Sequence, residues 1–248
     1  MGTGITSSTG TGTDPAGLET LELFAHAPLF NRWLFETIRP YCSGRLLEIG
    51  SGIGNISVSL LKLGIPVTLS DLREEYCDIL RSRFGGMATL DDVCRADLAA
   101  PDFEERYPRL LDHFDSVVAL NVVEHIREDS LAIANCKKML RPGGRLIVLV
   151  PAYQFLFNNL DRELGHFRRY DKKSLRQLLE AGGLAVNHTQ YFNFAGITGW
   201  CLTGSVLKRR TIPGFQLRLY NKLVPVFRMA DAVTGHSAGL SVIAIAKN

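Results

Sequence analysis

LLEIGSGIGN, residues Leu46–Asn55, is the stretch on which the fold turns. A short apolar run ends in three closely spaced glycines, Gly50, Gly52 and Gly54, and a helical pattern follows over Ile56–Lys62. Glycines let a backbone turn tightly and approach a ligand, and a helix start offers unpaired N–H groups. Taken alone, such a turn is common to many nucleotide-binding folds, or is only a tight turn. A dinucleotide fingerprint needs G-x-G-x-x-G, with the third glycine against a diphosphate. Here Asn55 holds that third slot. Glu48, just before the turn, would repel a diphosphate.

Outward from this loop the chain alternates. Strands are predicted over Arg45–Ile49, Pro66–Ser70, Val93–Ala96, Phe114–Leu120, Arg145–Val150, Leu184–Tyr191 and Leu240–Ala246. Between them lie helical patterns at Glu74–Phe84, Asp129–Leu140 and Lys172–Ala181, the last with Asp171 as N-cap and Gly182 beyond its end. Arg141–Gly144 reads as a Pro-Gly-Gly turn. One or two helices are expected over Leu18–Arg39, interrupted at Pro28. Alternation of this kind implies a mostly parallel sheet covered on both faces. The expected organisation is a disordered Gly/Thr/Ser-rich tail at 1–17 and one domain at 18–248. Within that domain, N-terminal helices occupy 18–40 and a helical insertion or lid occupies 193–239.

Acidic groups mark the same sheet edge. Asp71 lies about 20 residues past the first glycine, where a carboxylate accepts hydrogen bonds from ribose hydroxyls; Leu72 follows it. Asp97, beside Leu98 in CRADL, is placed to accept from an adenine amino group. Asn121 and Val122 open NVVEHI at the carboxyl edge of the fourth main strand. A carboxylate at Glu48 suits a ligand with an ammonium and a sulfonium group.

Together LLEIGSGIGN, VTLSDL, CRADL, FDSVVALNVVEHI and MLRPGGRLIVLVPAY, over about Arg45–Tyr153, resemble the class I S-adenosylmethionine (SAM)-dependent methyltransferases, notably the ubiquinone and menaquinone biosynthesis group. That resemblance implies a Rossmann-like α/β fold with a seven-stranded sheet and an antiparallel last strand. It implies Gly50, Gly52 and Gly54 around the methionine moiety, Asp71 on the ribose, and Asp97 with Leu98 at the adenine, and Ser51 is counted with the cofactor-binding residues. Ser51 stands where many relatives carry cysteine or alanine. FNRWLFETIRPY, GHFRRYD and the late GLS are also similar to a subgroup often found beside glycosyltransferases. The subgroup leaves the acceptor open.

For catalysis, His125 and His166 are the candidate bases, needed for an alcohol or phenol acceptor but not for an amine or carboxylate. Tyr153, Arg168, Arg169 and Tyr170 are candidate acceptor contacts, the arginines as bidentate grips on an anion. Each also has a plainer reading: loop packing for the histidines, ion pairs with Asp161 or Glu163 for the arginines. The expected partner is a small-molecule acceptor, including anionic or lipid-linked ones. The rivals are an NAD-dependent oxidoreductase, disfavoured by Asn55 and Glu48, and a non-catalytic partner subunit.

The bulk properties exclude several classes. The 248 residues carry a formal charge of only +3, which makes no case for nucleic acid. Five scattered cysteines fit reduced thiols and a cytoplasmic setting rather than a disulfide or zinc framework. No clustered metal-ligand motif is visible. Residues 193–239 hold aromatic side chains and Lys208, Arg209 and Arg210, which would suit a membrane surface. No long unbroken apolar face is evident there, so packing on the N-terminal helices is expected instead.

Overall fold

A computed structural model describes residues 15–248. Most of the expected tail therefore lies outside the described residues, and its last positions already belong to helix α1, Pro15–Ala25. Pro28 opens rather than interrupts α2, Pro28–Ile38, because a proline at the first helical position loses no hydrogen bond.

From there strands and helices alternate. β1 (Leu46–Ile49) is followed by α3 (Ser57–Leu60), β2 (Val67–Asp71), α4 (Glu74–Phe84) and β3 (Leu90–Arg95). The chain continues through α5 (Phe103–Arg106), β4 (Phe114–Leu120), α6 (Asp129–Met139) and β5 (Leu140–Pro151). After β5 come α7 (Asn159–Glu163), α8 (Lys172–Ala181), β6 (Ala185–Phe192), α9 (Gly196–Trp200), α10 (Gly214–Val233) and β7 (Ser241–Lys247). Asp171 caps α8 as expected, its side chain accepting from Ser174 N.

The seven strands form one sheet in the order β3-β2-β1-β4-β5-β7-β6. β7 runs antiparallel to both neighbours, and the other pairings are parallel. Both faces are covered, so successive strand residues serve opposite cores. Leu47, Val117 and Val148 pack towards α6 and α8, whereas Leu46, Val118 and Ile147 pack towards α2 and α4. The near-continuous apolar strands of the sequence have this cause.

The Pro-Gly-Gly segment departs from the sequence reading. It is not a separate turn but a kink inside the twelve-residue β5, whose pairing with β4 jumps from Leu140 to Arg145. Gly143, at φ 81°, takes the backbone through it.

β1 and β4 are adjacent while the chain runs outward from them in opposite directions. This reversal opens a crevice at the carboxyl ends of the central strands, where ligands bind in open α/β sheets.

Candidate active site

Every loop leaving the carboxyl edge contributes to one cavity of about 1470 Å³. That exceeds the roughly 300–1,000 Å³ of an ordinary small-molecule site. It has two ends.

The first end is built by the glycine loop. Gly50 sits at φ 68°, and a Cβ there would meet Val122 Cγ2 at 2.5 Å. A Cβ on Gly54 would meet the Phe84 ring at 2.4 Å, so this glycine lets the loop pack down on α4. Asn55 does something the sequence did not show: its Nδ2 donates to Leu21 O at 2.8 Å and holds α1 over the loop. Asp71 accepts from Gly52 N on one oxygen (2.9 Å) and from Arg73 N on the other (3.0 Å). Burial still raises its carboxyl pKa against those two bonds.

Glu48 lines the same end, and burial pushes its carboxyl up to about 7, with Asp71 adding to the rise and a short bond from Ser57 Oγ opposing it. A nearby cation would favour the ionised form. Leu72, Asp97, Leu98, Asn121 and Val122 also face this space. Asp97 already accepts from Ala99 N at 2.8 Å through one oxygen. All the predicted cofactor residues except Gly54 line the cavity; Gly54 acts by packing instead. Two acidic side chains beside a glycine cradle fit a sulfonium amino acid on a nucleoside and disfavour a diphosphate.

The second end holds the histidines. Phe167 N donates to Glu124 O at 2.8 Å, which brings the loop after α7 against the one after β4. His125 and His166 thereby meet edge to face, ring centroids 4.6 Å apart. His166 Nδ1 lies 2.9 Å from Asp161 Oδ1, and the same oxygen accepts from Arg169 Nε at 2.7 Å. Burial raises the Asp161 pKa, but His166 and Arg169 outweigh it and hold the carboxyl below its usual value. An ionised Asp161 accepts only, so the ring proton sits on Nδ1 and Nε2 is left as the basic nitrogen.

Glu124 is fully buried, and neither of its oxygens accepts a hydrogen bond from another of the described residues. Burial pushes its carboxyl up to about 8, with the Arg169 charge pulling the other way. Glu124, His125 and His166 place one ligand atom each within 4.8 Å of one another. Residues 41 positions apart thus come together in a group that could hold a metal ion, which linear spacing did not reveal.

The acceptor contacts need correction. Arg169 lines the cavity, but its guanidinium is spent on Asp161, on Ala152 O (3.0 Å) and on the face of Trp200 at 4.7 Å. It is a buried strut. Arg168 pairs with Asp129 at 2.7 Å and bonds Arg127 O, while Tyr170 Oη donates to Asp129 at 2.9 Å. Tyr153 stacks on Tyr191 with centroids 4.9 Å apart. Arg168, Tyr170 and Tyr153 do not line the cavity. The residues that do, and that sequence reasoning missed, are Trp200, Thr203, Gln216 and Tyr220 from the insertion and Leu21 and Phe24 from α1. Only their apolar, helix-like context was visible, which says nothing of the direction they face.

Comparison with known proteins bears on the fold and on residues 47–146. Residues 47–146 match a family model described as a methyltransferase domain. A ubiquinone biosynthesis O-methyltransferase of Xanthomonas oryzae pv. oryzae is 29% identical over 104 residues, covering 42% of this chain and 41% of the relative. The matched part of the chain thus spans about two-fifths of that relative's length.

Among solved structures, a Haloferax volcanii complex with the Trm112 methyltransferase activator aligns with TM-score 0.63 and 13% identity, over 97% of both chains. Phosphoethanolamine N-methyltransferase 2 of Haemonchus contortus, in complex with S-adenosyl-L-methionine, aligns with TM-score 0.59 and 15% identity. That match covers 92% of this chain and 57% of the other. Residues 47–146 thus match a methyltransferase domain, and the sheet, with its antiparallel last strand, has the Rossmann-like fold of these methyltransferase structures.

Proposed function

We propose that this protein transfers a methyl group from SAM to a hydroxyl of a small-molecule acceptor. The observation carrying the reading is that the glycine cradle with Asp71 and the oriented His166 open into one cavity. Bound SAM would supply a methyl group already activated on a sulfonium. The chain supplies position and a proton acceptor. Asp71 would take the ribose hydroxyls and Asp97 the adenine amino group, aligning the donor. Asp161 fixes the His166 ring, leaving Nε2 to accept a hydroxyl proton as the oxygen attacks. Residues 193–239 close the acceptor end as a lid and exclude water. A hydroxyl acceptor also accords with the O-methyltransferase relative.

The test is formation of S-adenosylhomocysteine with phenols and catechols as acceptors. His166→Ala should lower turnover about 10²–10⁴-fold, the usual worth of a general base, with SAM affinity kept. Unchanged turnover would remove the base assignment. Failure of any acceptor to yield product would favour the partner-subunit reading.

A second reading rests on Glu124, whose oxygens lack partners beside two imidazoles. One carboxylate and two histidines suit a divalent transition metal, with Asp161 orienting His166 from behind. In that reading the metal would polarise the acceptor hydroxyl. Elemental analysis separates the two: stoichiometric metal lost in Glu124→Gln supports it, and metal-free active protein contradicts it.

A further inference from the structure

The insertion carries a feature that neither the sheet nor the cavity uses. Its long helix α10 packs inward through Leu217, Val224 and Asp231, spaced seven residues apart on one face. At about 100° per residue, Phe215, Leu219, Leu223, Val226, Met229 and Val233 fall on the opposite face. All six are exposed, Phe215 at 65% and Val233 at 83%. Leu202, Val206 and Leu207, in and after the π-helical turn Cys201–Val206, extend the exposed apolar surface. A helix apolar on its outer face has something to cover it.

Charge indicates what. No Asp or Glu occurs between Glu180 and Asp231, whereas Lys208, Arg209, Arg210, Arg218, Lys222 and Arg228 all do. All six cations are exposed. Arg228 pairs with Glu36, and Arg210 lies 3.9 Å from Glu163. Among the described residues, no carboxylate lies within ion-pair distance of Lys208, Arg209, Arg218 or Lys222. By the same spacing Arg218 lies along one edge of the apolar stripe and Lys222 falls within it, and Lys208–Arg210 precede its start. None of the described helices is long and apolar enough to cross a membrane.

We infer that α10 and the preceding turn form a docking surface for an anionic lipid bilayer, lying in its interface with the apolar stripe inserted and the cations on the headgroups. The inner side of the same segment lines the acceptor end of the cavity through Gln216, Leu217 and Tyr220. The surface does not depend on the methyl-transfer reading. If both hold, an acceptor presented from a membrane enters from this side.

The experiment is co-sedimentation of the full chain with vesicles of phosphatidylcholine, alone or with about one-third phosphatidylglycerol. Binding should need the anionic lipid and weaken as salt rises. Replacing Lys208, Arg209 and Arg210 together by Gln should lower partitioning roughly 100-fold, about fivefold per cation. The double variant Phe215→Glu with Val226→Glu should abolish it. Phe155→Glu, on an exposed side chain outside the insertion, should leave binding intact and serves as the control.

Calorimetry with SAM on each variant shows whether the cofactor end is undisturbed, so loss of the surface is distinguishable from loss of function. Equal binding to both vesicles, no binding to either, or a dimer in ultracentrifugation abolished by Phe215→Glu with Val226→Glu would each overturn the inference.

Discussion

The two ends of the cavity are built by different means. The cofactor end is made of strand ends and a glycine loop, with side chains tied to backbone one or two elements away. The other end, where we place the acceptor, is made by the histidine loops and the insertion, the latter held by a few long-range polar contacts. Asn221 Oδ1 accepts from both Leu29 N (2.9 Å) and Phe30 N (3.1 Å), capping α2 from 191 residues away. Asp231, buried, accepts from Asn193 N (2.6 Å) and Phe194 N (2.7 Å) and fixes the start of the insertion. The contrast teaches that the sheet edge builds one end of the cavity from local signals, while a separately anchored element closes the other.

This division makes measurable demands. The largest effect on cofactor affinity should fall on Asp71→Ala, which removes the carboxylate we propose for the ribose hydroxyls and frees the Gly52 amide. At about 1.5–3 kcal/mol for each bond to a charged group, loss of two should lower SAM affinity at least about 100-fold by calorimetry. Vesicle binding should not change. An affinity within a few-fold of wild type would remove Asp71 from the cofactor end.

Next comes Asp231→Ala, which leaves two amide donors without their acceptor. Urea unfolding should show a loss of about 2–4 kcal/mol, with hydrogen exchange rising in 193–239 before the sheet. SAM affinity should stay within about threefold if the ends are independent. A parallel loss of affinity would show the ends to be one unit.

A smaller effect is set by pH. In the unfolded chain Glu48 ionises near 4.5, whereas in the folded protein burial keeps it protonated up to about 7. Folding therefore takes up a proton between those values, and this group makes the fold less stable as pH rises through that window. Glu48→Gln, which has no proton to lose, should show a shallower decline in melting temperature from pH 5 to pH 7. An unchanged slope would contradict the burial account.

The smallest effect is expected at Arg168→Ala. Its pair with Asp129 is partly exposed, and such pairs contribute about 0–1 kcal/mol. Acceptor kinetics should not change, since the guanidinium does not face the cavity. A raised acceptor KM would restore the anion-grip role.

The same contrast explains what the sequence disclosed. The cofactor end was legible because its signals are local: a strand, a glycine loop with positive φ, and carboxylates at fixed distances along neighbouring strands. α4, β4 and the capped α8 were legible for similar reasons. The acceptor end was not. Arg168, Arg169 and Tyr170 are adjacent in sequence, yet Arg168 and Tyr170 meet on Asp129 while Arg169 turns to Asp161, which no local pattern records. Glu124, His125 and His166 meet only because the loops after β4 and α7 hydrogen-bond to each other. The outward stripe of α10 was missed because its apolar positions are spread over five turns and interleaved with cations, so no unbroken run announces them.

The central claim is that the loop after β1 holds a sulfonium amino acid rather than a diphosphate. Isothermal calorimetry of the purified chain with SAM, S-adenosylhomocysteine and NAD tests it directly. Saturable heat with SAM and S-adenosylhomocysteine, and none with NAD, is the expected result. Saturation by NAD without either sulfur compound would contradict the account.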